Sequence, residues 1–194
     1  MNLTRKFKFE HGITKVDSTA VQRNETLKDG TPVRIRQIQP NDKQLILLGM
    51  AHMSSQSRRN RFFSAISTLP DQILRDLTEL DHDTRDAWIA VTGSMRFPHP
   101  VGVARYIRNR REPHIAEIAL AVVDEFQGKG MGTLFADILR EAARHRGISD
   151  FHAIVLADNK KILAMAQKYG ATAQFRSSGQ FEIRVAVKRS CDLH

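Results

Sequence analysis

The chain has 194 residues, a formal charge of +9 from 30 Lys+Arg against 21 Asp+Glu, and 41% hydrophobic residues. These values suit one globular domain with its own core and exclude a wholly disordered chain, while 11 Gly and 6 Pro exclude collagen-like or low-complexity architecture. The single cysteine, Cys191, excludes a disulfide framework and a multi-cysteine zinc site and fits a reducing, cytoplasmic compartment.

Met1 to about Thr26 is polar and without a convincing period, so it reads as an arm of residues 1–26 holding at most one short element. Its basic start is followed by no apolar h-region, which argues against a signal peptide, and no later stretch has the apolar length of a membrane span. Leu27 to Pro32 reads as a turn around Asp29-Gly30, and Val33 to Ile38 alternates as a half-buried strand. Pro40 opens a helix to about Met53, Ser54 caps a second that carries Arg58, Arg59 and Arg61, and Pro70-Asp71 opens a third. Strands follow at 86–92, 101–108 and 115–123, with a two-proline loop over 93–100 and a hairpin over 109–113. A long helix from about Gly130 to Arg146 has Met131, Leu134, Phe135, Ile138, Leu139 and Ala142 at steps of three and four, one stripe facing a sheet, and Gly147 ends it. A strand at 151–156, a helix at 160–169 and a strand at 180–188 complete an α+β order: a mixed, mostly antiparallel sheet flanked by helices, in one domain of residues 27–188 with a tail of 189–194.

Between Val123 and the long helix, Gly128, Gly130 and Gly132 stand at alternate positions with Lys129 among them. Glycines allow close backbone approach, and the first N–H groups of a helix are unpaired at the positive end of its dipole, which suits a pyrophosphate. Two phosphate motifs fail here: the dinucleotide fingerprint needs glycine where Thr133 stands, and the P-loop needs glycine at Val123 and Ser or Thr at Gly130. The alternative is a glycine-rich corner without a ligand.

Gln127-Gly128-Lys129-Gly130-Met131-Gly132 resembles the coenzyme A pyrophosphate loop, Q/R-x-x-G-x-G/A, of the GNAT superfamily of N-acetyltransferases. Ala116-Glu117-Ile118 on the preceding strand, Ala157-Asp158-Asn159 and Tyr169-Gly170-Ala171 extend the resemblance. So do Asp29-Gly30-Thr31-Pro32, Arg61-Phe62-Phe63-Ser64 and Gly102-Val103-Ala104-Arg105-Tyr106, which are similar to the acetyltransferase domain of bacterial protein-lysine acetyltransferases. The resemblance implies the GNAT fold and acetyl-CoA as cosubstrate, with no metal. It implies that backbone N–H groups from Gly128 to Thr133 hold the pyrophosphate, that Leu120, Ala121 and Val122 pair with the pantetheine arm, and that Asn159 contacts the coenzyme or orients a water. The acceptor would be an amine, on a small molecule or a protein lysine. It would attack directly, with Glu117 as the base that removes its proton. Alternation along the strand sets Glu117 on one face with Ala119 and Ala121, and Ile118, Leu120 and Val122 on the other. Many members place a tyrosine acid four residues before the glycine that matches Gly170; Ala166 stands there, so no acid is assigned.

Two other classes stay open: a non-catalytic acyl-CoA sensor on the same fold, and a nucleic-acid binder driven by the basic charge, the latter without any recognised binding module. The basic runs at 58–61 and 105–111 read as solvated faces or contacts to an acidic acceptor protein. Asp81-His82-Asp83 reads as a polar turn rather than a metal cluster, and His114 as part of a hairpin. A second copy of the chain is an open partner.

Overall fold

Strand residues Ala87, Ile89 and Val91 pack into one apolar cluster and Trp88 and Ala90 into another, and all five are buried. A strand that is apolar on both faces needs cover on both. The computed structural model, which describes residues 22–188 except 65 and 177, supplies it with helices on the two sides of an eight-stranded sheet. In chain order the elements are β1 (Gln22–Thr26), β2 (Pro32–Gln37), α1 (Lys43–Ala51), α2 (Ser55–Phe62), α3 (Asp71–Thr78), β3 (Arg85–Gly93), β4 (Pro98–Arg108), β5 (Ile115–Val122), α4 (Met131–His145), β6 (Asp150–Leu156), α5 (Lys160–Lys168), β7 (Thr172–Arg176) and β8 (Gln180–Ala186). Cys191, the tail over 189–194 and residues 1–21 of the arm lie outside the described residues.

The sheet order is β1-β2-β3-β4-β5-β6-β8-β7, and every pair is antiparallel except β5–β6. One face carries α4 and α5, the other α1 to α3. The α4 stripe buries Met131, Phe135, Ile138 and Leu139, each worth about 1.5–3 kcal/mol over exposure. Its end is closed by Gly147 at φ +70, with Gly147 N–H donating to Arg144 O and Ile148 N–H to Ala143 O. Close approach to the sheet depends on Gly102, where a Cβ would stand 2.5 Å from Ala121 O and 3.0 Å from the Phe135 ring.

Four elements differ from the expectations of pattern. β1 and β7 form the two outer edges; both are short and polar or exposed, and carry no apolar alternation to reveal them. β4 begins at Pro98, inside the expected loop, because residues 98–100 pair with β3 alone and a free edge tolerates proline. Pro40–Asp42 is a single 3-10 turn rather than the first turn of α1. Asp42 organises it, accepting 2.7 Å bonds from both Arg36 guanidinium nitrogens and from Gln39 N–H.

On the α4 face of the sheet, in the row Asp86–Tyr106–Ile118, Asp86 is fully buried. Its carboxylate receives His82 Nδ1 at 2.8 Å, Ala87 N–H at 2.9 Å, Gln37 Nε2 at 3.2 Å and the Arg146 guanidinium at 3.4 Å. Arg146 also donates to His82 O at 2.5 Å, and the buried Tyr106, whose phenol is pushed up by burial, donates to Asp83 O at 3.0 Å. Asp81 accepts from Asp83 N–H, Arg85 N–H and the Thr84 hydroxyl, so the Asp81-His82-Asp83 segment is a turn serving this junction. The expected hairpin is closed by Asn109 N–H to Ile115 O and Ile115 N–H to Glu112 O, while the carbonyl of His114 accepts from Ser149 and Asp150 N–H at the start of β6.

Candidate active site

β5 and β6 pair at three positions only, Ile115↔Asp150, Ala116↔Phe151 and Glu117↔His152. Beyond Glu117 the two strands part. β5 keeps β4 on one side, and the backbone groups of its other edge face a slot instead of a ladder. The slot encloses about 160 Å³ and crosses the sheet. Ile118, Leu120, Leu139 and Met165 line its α4–α5 side; Glu117, Arg61 and Phe63 line its α2 side. Of the residues expected along this edge, Leu120 lines the slot, Ala121 lines a second cavity on the opposite face, and Val122 O accepts from Gln127 Nε2 at 3.1 Å.

The β5–α4 turn follows the strand. Gly128 and Gly130 have φ of +78 and +95, a region other residues enter at a cost. Among the described residues, the N–H groups of Gly128, Lys129, Gly130, Met131 and Gly132 find no protein acceptor; Thr133 differs from expectation, since its N–H donates to Gly130 O at 3.1 Å. Five bare donors at the positive end of a 15-residue helix form an anion cradle. Gln127 braces it: Nε2 lies 3.0–3.1 Å from Ser57 Oγ, Val122 O and Asp124 Oδ1, and Oε1 accepts from Lys161 at 3.0 Å. Lys129 is not a free charge. Its ammonium pairs with Asp29 at 2.8 Å and lies over the Phe126 ring, and the Asp29 carboxyl is held at about 2, chiefly by this bond and one from Thr31.

Glu117 is exposed at the fork, and among the described residues it makes no hydrogen bond or ion pair. On its face the neighbouring position, Ala119, lies opposite Arg105 of β4. The alanine leaves space for that arginine, which is 7% exposed. Burial, then repulsion from Arg61 and Arg85, lowers the Arg105 pKa to about 10, against attraction from Asp76 and Glu117. Arg61, half-buried at the end of α2, is also lowered by burial and steadied by Glu117. The basic runs are only in part solvated faces: Arg110 and Arg111 are exposed, but Arg105 is interior, Arg58 donates to Met53 O at 2.6 Å, and Arg59 pairs with Asp158 at 2.6 Å.

α2 itself spans the opening. Ser54 N–H and the Ser57 hydroxyl bond to Asp124 after β5, at 3.0 and 2.5 Å, while Arg59 reaches Asp158 after β6. Burial would raise the Asp124 carboxyl, but the serine bonds outweigh it; the Asp158 carboxyl is lowered by Arg59. Asn159 lines the slot, and its side chain caps α5 by accepting from Ile162 N–H at 3.4 Å. Ala166 and Tyr169 both line the slot, and the Tyr169 hydroxyl lies 3.3 Å from Asp137 on α4. Sequence reading missed Arg61, Arg105, Ser57 and Lys161, which only the fold brings to Glu117 or the turn. No group of three or more His, Cys, Asp or Glu among the described residues is arranged to hold a metal ion, and no described helix is long and apolar enough to cross a membrane.

A family model described as Acetyltransferase (GNAT) family matches residues 53–171, which spans α2 to α5 and the slot apart from its β8 wall. Acetyltransferase Pat of Mycolicibacterium smegmatis is 28% identical over 137 residues, 71% of this chain and 40% of Pat, so the chain matches well under half the length of that relative. Acetyltransferase PA5475 of Pseudomonas aeruginosa is 25% identical over 150 residues, 77% of this chain and 80% of that protein. The crystal structure of the GNAT domain of S. lividans PAT superposes with a TM-score of 0.78 at 26% identity, covering 85% of this chain and 96% of that one. A cAMP-binding acyltransferase from Mycobacterium smegmatis shares the fold, with a TM-score of 0.61 at 23% identity over 86% of this chain and 47% of that one.

Proposed function

The chain belongs to the acetyltransferase (GNAT) family and is an acetyltransferase, and from that premise we propose that it transfers the acetyl group of acetyl-CoA to an amine of the lysine type, by direct attack with Glu117 as base. The observation that carries this reading is the fork: the β5–β6 ladder stops at the one exposed carboxylate of the slot, and five bare N–H groups stand where β5 hands over to α4. The residues present suit the coenzyme. Gly128 to Gly132 would hold its diphosphate through main-chain N–H groups, Lys161 adds a charge at the rim, and the open edge at Leu120 to Val122 would pair with its amide-bearing arm. When bound, the coenzyme supplies an acetyl thioester, an acyl donor whose thiolate leaves readily near neutral pH.

A lysine-type amine has a pKa of about 10.4 and arrives as ammonium, so a base must take its proton before the nitrogen can attack. Glu117 offers that base on the face where Ala119 and Ala121 leave room. A β5 N–H facing the slot would stabilise the oxyanion that attack creates. The Tyr169 hydroxyl is engaged at Asp137 and Ala166 has no proton to give, so protonation of the departing thiolate is assigned to water.

The test is acetyl-CoA-dependent thiol release with lysine peptides and small amines, alongside mass spectrometry for new acetyl marks in a lysate. Acetylated product supports the reading; tight coenzyme binding without transfer to any acceptor supports the non-catalytic sensor instead. The cradle has its own test. At Gly130, φ is +95 and a Cβ would lie 3.4 Å from the Lys28 side chain. Gly130→Val forces a β-branched residue into left-handed backbone at a cost of about 1–2 kcal/mol, so calorimetric affinity for acetyl-CoA should fall about tenfold or more. Unchanged affinity would remove the turn from the binding site.

A further inference from the structure

The face of β5 that carries Glu117 also borders a second cavity, of about 60 Å³, beneath α1 and α3. Leu45, Met50, Leu77 and Val103 make it largely apolar, and Arg61 and Arg105 are its charged members. Arg61 and Ala119 line this cavity and the slot alike, so the two meet beside Glu117. Neither guanidinium has an anion in contact. Arg61 makes no hydrogen bond or ion pair among the described residues. Arg105 donates one bond, to Asp76 O at 3.3 Å, and its buried Nε–H has no acceptor.

Buried charge is costly unless paired and hydrogen-bonded. Glu117 does not resolve this: it lies outside ion-pair distance of both arginines, and one carboxylate balances one of two guanidiniums. Arg85, which reaches Asp81 at 4.0 Å, and Asp76 act on Arg105 with opposite signs, so the two guanidiniums lining the cavity face the single carboxylate of Glu117. The volume admits a group of a few heavy atoms, and a planar carboxylate meets guanidinium donors with two parallel bonds.

We propose that the acyl acceptor carries a carboxylate, which binds between Arg61 and Arg105 while its amine meets Glu117. Positions 117 and 119 are about 7 Å apart along the strand. That separation suits a lysine-type ε-amine and its own α-carboxylate, or a lysine followed or preceded by an acidic residue in a peptide. The inference rests on the amine-acetylating reading and adds the substrate class to it.

Two acceptor pairs distinguish the sources: free lysine against cadaverine, and an end-blocked Glu-Lys peptide against its Ala-Lys counterpart. A charge-assisted hydrogen bond of this kind is worth about tenfold or more, so one pair should show at least that preference for its carboxylate-bearing member in kcat/KM and in calorimetric binding to the protein with coenzyme A. The pair that shows it identifies the source. Arg61→Gln, on a half-exposed helix end, and Arg105→Met, in the interior, should each bring the ratio to about one. Equal use of both members of both pairs, or a preference that survives both substitutions, overturns the subsite. A binding preference without any acetylated product would keep the subsite and reject the acetylation reading; product without preference would do the reverse.

Discussion

Glu117→Gln is expected to lower kcat for amine acetylation by roughly 100- to 10,000-fold, the range for a lost general base. Glutamine fills the same volume at the fork and leaves the cradle between Gln127 and Gly132 untouched, so calorimetric affinity for acetyl-CoA should stay within about threefold. Near neutral pH only about one lysine-type amine in a thousand is unprotonated. Without the carboxylate, the rate should follow that fraction and climb about tenfold per pH unit toward pH 10. A variant that keeps full activity at pH 7, or whose rate does not climb in this way, removes Glu117 from the proton transfer and leaves the slot as a binding site alone.

The second large effect lies on the α4 face of the sheet, two strands from Glu117. Asp86→Ala removes the acceptor shared by His82, Gln37, Ala87 N–H and Arg146, in a site where the carboxylate is wholly enclosed. Stripping one partner from such a cluster costs about 3–5 kcal/mol, because the donors stay behind without acceptors. For a domain of this size that is a fall in melting temperature of roughly 10 °C. Asp86→Asn keeps an oxygen acceptor and should lose distinctly less. A loss under about 2 °C for the alanine variant would mean that the junction is solvated rather than closed.

The elements that bury an apolar face were legible in the sequence. The α4 stripe, Gly147 at its end, the alternation of β2 and the apolar runs of β3 and β5 are written in the hydrophobic pattern, and all appear in the fold. β1 and β7 were not, since an outer strand held by its backbone along one edge leaves its side chains nothing to encode. The site divides in the same way. Glu117 and the glycine turn stand in consecutive segments around one strand and could be picked out together. Arg61 and Arg105 lie in separate arginine-rich stretches whose composition suggests solvent, and only the pairing of Arg105 with Ala119 and the position of α2 over the fork bring them inward. Asn159 was expected at the coenzyme; its side chain also serves α5 as a cap, a role the helix-start pattern Asp158-Asn159-Lys160 carries on its face.

Where β5 and β6 stop sharing hydrogen bonds, something else has to set how far apart they stand. α2 does so as a cross-beam, fastened to Asp124 at one bank and to Asp158 at the other. The first fastening is made of two serine bonds, and the second is chiefly a pair of solvent-facing charges, with Gln56 beside it, of a kind worth about 0–1 kcal/mol and weakened by salt. The gauge of the channel is thus rigid on the β5 side and adjustable on the β6 side. Rising ionic strength should therefore loosen the β6 bank before the β5 bank.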